Sequence, residues 1–256
     1  MLRLSECDII TAKDALFSLP DGKLLIHTIN AHSFNVAQQD DLFAAALRGC
    51  DVLLPDGIPI VWACRWLRAK SRPKERITGW DLFCMEMNRL KAVSGTGKPQ
   101  KVMFLGSSEA VLEKIRQRLA AECPSVGVST YSPPYKETFS DADNAQMISA
   151  INRCQPDLLW IGMTAPKQEK WLWQHWAELD IHCHAGAVGA VFDFYAGTVR
   201  RAPASWQRCS LEWLHRLLSD PRRMWRRYIL GNPLFLWYIF REFLWLKTRR
   251  THETKK

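Results

Sequence analysis

Polar side chains end two apolar runs near the amino terminus of this 256-residue chain. Thr28, Asn30 and His32 stand at the end of the first run, and Asp56 follows the second. Helical periodicity begins soon after each run, as expected of strand–helix units. In a parallel α/β sheet, ligands bind beyond the carboxyl ends of the strands, so we expect these four side chains to share one crevice. Asp56 is the first candidate for a functional residue.

The rest of the chain repeats the alternation of strand and helix. Apolar runs recur at 101–105, 126–131, 157–161 and 181–188, and helical periodicity follows the first three. This pattern predicts an α/β fold with a Rossmann-like, largely parallel sheet and helices on both of its faces. We expect a catalytic domain over residues 1–199 and a basic, aromatic helical appendage over residues 200–256.

Small residues follow several of the predicted strands. Gly106 begins a Gly-Ser-Ser turn before a helix, which can present backbone N–H groups to a phosphate but also caps many ordinary helices. Gly186 and Gly189 permit a close approach of the backbone to a ligand, and Asp193 is a candidate ribose ligand.

The sequence offers little for a metal. Asp141 and Asp143 have the spacing of a metal-binding pair, but their position at the start of a polar helix favours capping. The eight cysteines include no CxxC pair, which argues against a zinc ribbon and for reduced, mostly buried thiols. We therefore expect neither a metal site nor a cofactor.

Positive charge is concentrated at the carboxyl end of the chain. Residues 197–256 hold 14 Lys/Arg against 4 Asp/Glu, whereas residues 1–196 are nearly neutral. With its many Trp and Phe residues, this segment favours contact with an anionic membrane surface or a nucleic acid. No apolar stretch is long enough to span a bilayer and no secretory signal is present, so we expect a cytoplasmic, peripherally attached protein. Deletion from about Gly231 is expected to release it from membranes with the sheet still folded.

Seven motifs, taken in order, resemble those of the WecG/TagA/CpsF glycosyltransferases, glycosyltransferase family 26. The resemblance covers nearly the whole chain and rests on TINAH (28–32), LPDG (54–57), RITGWDL (76–82), FLGS (104–107), GMTAPKQE (162–169), GAVGAVFDFYAGTVRRAP (186–203) and SLEWLHRLLSDPRR (210–223). It implies an inverting, metal-independent enzyme of bacterial surface polysaccharide synthesis. Such an enzyme moves a sugar from a UDP-sugar to a polyprenyl-diphosphate-linked saccharide at the inner face of the cell membrane.

The resemblance also implies roles for residues of the first crevice. Asp56 would be the general base that takes the proton from the acceptor hydroxyl, although an Asp in this position also suits an ordinary turn. Thr28 and Asn30 would line the same pocket. His32 departs from the acidic residue of other members and is expected to position the substrate, which leaves the donor sugar open.

Further residues come from the later motifs. Gln168 matches a catalytic Pro-x-Gln-Glu motif, although a buried Gln can equally make only structural hydrogen bonds. Without a metal, the charge of the departing UDP must be met by cations and backbone dipoles. Arg76, Arg216 and Arg223 are the candidates, although exposed arginines are often only solvated surface.

Two other classes of protein compete with this assignment. A nucleotide-dependent oxidoreductase could share the fold, but no GxGxxG follows the first strand. A nucleic-acid-binding protein could use the basic, aromatic segment, because such proteins also place aromatics beside cations. We expect a membrane rather than nucleic acid as the partner. The transferred sugar, the acceptor and the formation of a homo-oligomer stay open.

Overall fold

The computed structural model describes residues 1–208 and 210–253, apart from the side chains of residues 204, 208, 223 and 250–253. Within this part of the chain one sheet contains six strands: β1 (Leu24–Ile29), β2 (Val52–Pro55), β3 (Gln100–Gly106), β4 (Val126–Tyr131), β5 (Leu158–Gly162) and β6 (His184–Ala187). The strand order is β2-β1-β6-β5-β3-β4, and every neighbouring pair is parallel. The predicted Rossmann-like α/β class is confirmed.

Helices connect and follow the strands. The α-helices of the described residues are α1 (Ala31–Ala37), α2 (Asp41–Gly49), α3 (Ile58–Trp66), α4 (Gly79–Ser94), α5 (Glu109–Glu122), α6 (Asp141–Cys154), α7 (Lys167–His175), α8 (Ala190–Tyr195), α9 (Ala204–Arg208), α10 (Glu212–Ser219), α11 (Pro221–Trp225) and α12 (Gly231–Glu253). A π-helical turn, Arg226–Leu230, joins α11 to α12, and three short 3₁₀ turns are Leu4–Glu6, Lys13–Ser18 and Trp176–Glu178.

Five of the six strands are mostly buried on both faces because helices cover both faces, whereas the edge strand β4 is buried only at Val126. Successive strand side chains point to opposite sides, so Val102 and Phe104 pack with α4, α5 and α8, while Met103 and Leu105 pack with α6 and α7. A third cluster joins α1, α2, α3 and α12 beneath β1 and β2. This arrangement explains why the buried strands appear in the sequence as largely apolar runs.

The last helix, α12, packs against the amino-terminal end of the chain and accepts hydrogen bonds from it. Phe235 and Ile239 belong to the buried cluster under β1 and β2. Glu242 is 8 % exposed and accepts hydrogen bonds from the backbone N–H groups of Leu4 at 3.1 Å and Ser5 at 2.7 Å. One face of α12 is therefore core, and the division of the chain at residue 200 stays a prediction. No helix among the described residues is long and apolar enough to cross a bilayer.

The strand order predicts a ligand crevice at the carboxyl ends of β1 and its two neighbours, β2 and β6. The sheet extends from β1 to β2 on one side, whereas β6, β5, β3 and β4 lie on the other. Ligands of open α/β sheets bind beyond the carboxyl ends of the strands where the order reverses in this way.

Candidate active site

The ends of β1 and β2 bring Asp56 beside the first pocket residues. Ile29 pairs with Pro55, and the Asp56 N–H donates to the Ile29 carbonyl at 2.8 Å. Adjacent strands lie about 4.8 Å apart, so Asn30 and Asp56 are neighbours at the edge of the crevice. Gly57 then turns the chain into α3 with a φ of 146°, a conformation that strains any residue with a Cβ.

Thr28 and Asn30 flank Ile29 on β1. Asn30 caps α1, since its side chain accepts from the Ser33 N–H at 3.0 Å. Thr28 lies on the face covered by α4, where its Cγ2 is 3.8 Å from the position that a Cβ on Gly79 would take. The same position lies 3.4 Å from Val188, which follows β6. The N-terminal end of α4 thus begins directly above the crevice.

Asp56 is partly buried, and its carboxyl group is surrounded by charge. Burial raises the pKa of Asp56 above its ordinary value. The nearby Glu212 raises this pKa further, whereas Arg216, Arg227 and Arg76 lower it, and burial prevails. All but one of these charges belong to the C-terminal segment, which therefore lies close to Asp56. A carboxyl with a raised pKa is suited to accept a proton near neutral pH.

Three arginines surround one buried carboxylate beside Asp56. Glu212 is 8 % exposed and lies 3.4 Å from Arg76 Nη1, 3.7 Å from Arg201 Nη2 and 3.4 Å from Arg216 Nη2. A second nitrogen of Arg76 donates to the Gln207 carbonyl at 3.0 Å. We call Arg76, Arg201, Arg216 and Glu212 the arginine cluster. With three cations and one anion it keeps an excess of positive charge, which suits a phosphate-bearing ligand.

His32 is partly buried on α1. Burial, and secondarily the positive charge of Arg227, lower the pKa of His32 to about 4. At neutral pH the imidazole is therefore uncharged and can position a ligand through hydrogen bonds without adding to the charge. Arg227 acts electrostatically on both His32 and Asp56, so the π-helical turn that carries it lies next to the crevice.

The side-chain amide of Gln168 joins the ends of two strands. Gln168 is 5 % exposed, and its Oε1 accepts from the backbone N–H groups of Met163 and Gly189, each at 3.1 Å. Its Nε2 donates to Glu169 Oε1 at 2.8 Å. Both polar atoms of the amide are therefore engaged within the protein. This geometry matches the structural alternative, and the catalytic role of Gln168 stays a prediction.

The three glycines of the predicted ligand site lie in tight packing. A Cβ on Gly106, whose φ is 119°, would lie 2.4 Å from the Gly162 carbonyl oxygen. A Cβ on Gly186 would lie 2.4 Å from the Trp160 ring, and one on Gly189 would lie 2.6 Å from the Met163 carbonyl oxygen. Close packing thus explains why each position holds a glycine, and contact of these glycines with a substrate stays a prediction.

Asp193 lies on α8, beside Phe194, whose ring is 5.3 Å from the Arg216 guanidinium carbon. The Thr198 hydroxyl donates to the Asp193 carboxylate at 3.2 Å, so this group helps to close the turn after α8. The Arg223 side chain lies outside the described residues. The role of Asp193 as a ribose ligand and that of Arg223 as a phosphate ligand stay predictions.

One member of the acidic pair of α6, Asp143, takes part in the cap of the helix. Asp143 accepts from the Ser140 N–H at 2.9 Å and pairs with Lys136 at 2.7 Å, which confirms the capping interpretation for Asp143. Among the residues that the structure describes, no three His, Cys, Asp or Glu side chains come together as metal ligands.

The sequence interpretation missed three residues of the site: Arg201, Glu212 and Arg227. Arg201 belongs to the RRAP stretch, and Arg227 belongs to the basic stretch after Pro221. The clustering of positive charge was therefore the available signal for both residues. Glu212 is one of only four acidic residues after position 196, and that scarcity was the available signal of a special role.

Comparison with known proteins identifies the family of this chain. The model of the glycosyl transferase WecG/TagA/CpsF family matches residues 4–250. An N-acetylglucosaminyldiphosphoundecaprenol N-acetyl-beta-D-mannosaminyltransferase of Bacillus spizizenii is 29% identical over 78% of this chain and 72% of its own length. Enzymes of the same name from Bacillus subtilis and Staphylococcus aureus are 28% and 26% identical, each over 85% of this chain and 79% and 80% of their own lengths. Because the match spans nearly all of the sheet and the C-terminal segment, the chain belongs to the WecG/TagA/CpsF family of glycosyl transferases.

Proposed function

We propose that the protein moves a sugar from a UDP-sugar to a polyprenyl-diphosphate-linked saccharide, with inversion and without a metal or cofactor. The observation that carries this proposal is the position of Asp56 at the carboxyl ends of β1 and β2, close to the charges of the arginine cluster. One group can take a proton there while its neighbours bind a diphosphate. The names of the relatives favour an N-acetylhexosamine as the transferred sugar and an undecaprenyl-diphosphate-linked acceptor.

In the proposed reaction, the Asp56 carboxylate takes the proton of the acceptor hydroxyl while the hydroxyl oxygen attacks the anomeric carbon of the donor sugar. The bond from that carbon to the UDP oxygen breaks in the same step, so the configuration inverts. The leaving diphosphate gains negative charge, which Arg76, Arg216 and the N-terminal end of α4 are placed to stabilise.

The direct test is an assay of the purified protein with a panel of UDP-sugars and a polyprenyl-diphosphate-linked N-acetylhexosamine in detergent. UDP-N-acetylhexosamines are expected to give the highest rates of transfer in the panel. Turnover by wild type that is lost in Asp56→Asn supports the proposal. Absence of transfer from every UDP-sugar, to lipid-linked acceptors of different lengths, would contradict it.

Arg216→Ala is expected to weaken UDP binding by about 10- to 100-fold, because one charge-assisted hydrogen bond contributes about 1.5–3 kcal/mol. The substitution also removes a cation that lowers the pKa of Asp56, so the acidic limb of the kcat/KM profile should move to higher pH. Titration with UDP and a pH–rate series measure the two effects. Arg222→Ala, an exposed position in the same segment, is the control. An unchanged affinity for UDP would remove Arg216 from the donor site.

Chelation of divalent metals is expected to leave most of the activity intact, because cations of the protein are proposed to do the work of a metal at the diphosphate. The test compares initial rates in EDTA with rates in added Mg²⁺ or Mn²⁺. An enzyme inactivated by EDTA and restored by either ion would overturn the metal-independent mechanism.

We further propose that the protein attaches peripherally to the anionic inner face of the cell membrane through its C-terminal segment. Among the described residues, most of the exposed large apolar side chains lie there, including Trp213, Trp225, Ile229 and Trp237. These side chains stand among arginines and lysines, as in helices that lie in the membrane interface.

A further inference from the structure

Helix α3, which follows Asp56 directly, presents two tryptophans to solvent. Its inner side is buried through residues such as Ile60 and Cys64, whereas Trp62 is 67 % and Trp66 is 50 % exposed. Large aromatic side chains this exposed in neighbouring turns of one helix are unusual unless a partner covers them. Neither tryptophan belongs to the C-terminal segment or takes part in the proposed chemistry.

The exposed side of α3 continues into the exposed side of α12. The Trp66 ring stacks on Phe243 of α12 with 5.2 Å between centroids and 9° between planes. Leu236 and Phe240 lie seven and three residues before Phe243 and hence on the same flank of α12. They are 61 % and 43 % exposed. Side chains distant in sequence therefore form one apolar surface, which we call the aromatic surface: Trp62, Trp66, Leu236, Phe240 and Phe243.

A basic loop borders this surface. Residues 65–75 contain five Lys/Arg and one acidic residue, Glu75. Arg65 closes the loop by donating to the Lys74 carbonyl at 2.7 Å and to the Pro73 carbonyl at 3.3 Å. The remaining cations, Arg68, Lys70, Arg72 and Lys74, are all exposed. Apolar rings edged by cations are complementary to the acyl boundary and phosphate groups of an anionic bilayer.

We infer that the aromatic surface and the basic loop together dock on an anionic bilayer, so that α3 and α12 approach the membrane as one unit. The inference rests on the proposed function, because it places the crevice where a lipid-linked diphosphate would lie. Helix α3 begins at Ile58, two residues after Asp56, and Trp62 is four residues, or about 6 Å, further along the helix axis at 1.5 Å per residue. A tryptophan at headgroup depth would therefore hold Asp56 close to the plane of the lipid phosphates.

The test is flotation of the full-length protein with vesicles of phosphatidylcholine containing 30 mol % phosphatidylglycerol. Trp62→Ala is expected to weaken binding about fivefold, and Trp62→Ala with Trp66→Ala at least tenfold. Phe17→Ala and Tyr135→Ala remove rings that are at least as exposed but lie outside the surface, so they should bind like wild type. Because Trp66 packs on Phe243, the single Trp62 variant keeps the test valid if the double variant unfolds. Wild-type binding by Trp62→Ala would overturn the inference.

Charge reversal tests the basic loop separately. Arg72→Glu with Lys74→Glu should weaken binding to the anionic vesicles at least tenfold and bring it close to binding of neutral phosphatidylcholine vesicles. Lys98→Glu with Lys114→Glu makes the same change of net charge at exposed positions outside the surface and should have a much smaller effect. Equal losses in the two pairs would show that only net charge matters, and would contradict docking by the loop.

Two further measurements distinguish other partners and the fate of the proposed function. If sedimentation shows a dimer that dissociates on Trp62→Ala, or if duplex DNA displaces the vesicles, the surface binds a macromolecule and the inference fails. With a short-chain, water-soluble acceptor, Trp62→Ala should transfer sugar at the wild-type rate, whereas with acceptor in vesicles its rate should fall. If wild type transfers nothing to either acceptor, the proposed function fails while the flotation result stands by itself.

Discussion

Asp56→Asn is expected to bind the UDP-sugar as wild type does and to lose at least about 10²-fold in kcat. General base catalysis commonly contributes about 10²–10⁴-fold, and an amide cannot take the proton of the acceptor hydroxyl. Single-turnover assays give the rate of transfer, and calorimetry gives the affinity for the donor. Asp141→Asn, at an exposed helix start, is the control and should retain activity. Turnover by Asp56→Asn at the wild-type rate would remove Asp56 as the base.

The pH dependence of kcat/KM in the wild-type enzyme is a second test of Asp56 as the general base. A base must be ionised, so kcat/KM should fall as the pH drops through the raised pKa of Asp56, above the ordinary value of 3.8. Asp56→Asn should lack this limb. The stability of the protein should change in the opposite direction from kcat/KM. Because the folded pKa is raised, ionisation costs stability as the pH rises from 3.8 through the raised value. Asp56→Asn should therefore melt no lower than wild type at pH 7, which excludes unfolding as the cause of lost activity.

Glu242→Ala is expected to lower the free energy of unfolding by about 3 kcal/mol, since each buried N–H left without an acceptor costs about 1–3 kcal/mol. The Glu242 carboxylate accepts from two backbone N–H groups and from the Ser5 hydroxyl. Urea denaturation measures the loss. Arg241→Ala, exposed on the same helix, should change stability by less than about 0.5 kcal/mol. Equal midpoints for the two variants would show that this contact contributes little.

The same contacts change the expected result of truncation. Deletion from Gly231 removes Phe235 and Ile239 from the core together with Glu242, so it should destabilise the sheet domain as well as weaken membrane binding. Loss of binding by a truncated chain would then be ambiguous. Substitutions at exposed positions such as Trp62 separate membrane docking from folding.

The sequence by itself determined the local elements and the place of the first crevice. The length of the apolar runs predicted the strands because all strands except the edge strand β4 are mostly buried on both faces. Turn residues after the runs predicted where the next helix starts. Since parallel strands align their carboxyl ends, the positions of Thr28, Asn30 and Asp56 in the chain were enough to predict that they meet.

Only the tertiary structure decided which distant residues complete that crevice. Arg76 and Glu212 are 136 residues apart, and no local pattern brings them within 3.4 Å of each other. Composition indicated positive charge near the carboxyl end, but Arg216 and Arg227 act on Asp56 because the tertiary fold brings the C-terminal segment close to it. The stacking of Trp66 on Phe243 likewise depends on how α12 packs. Such contacts arise from the burial of whole helices, which sets side-chain positions that spacing along one element cannot specify.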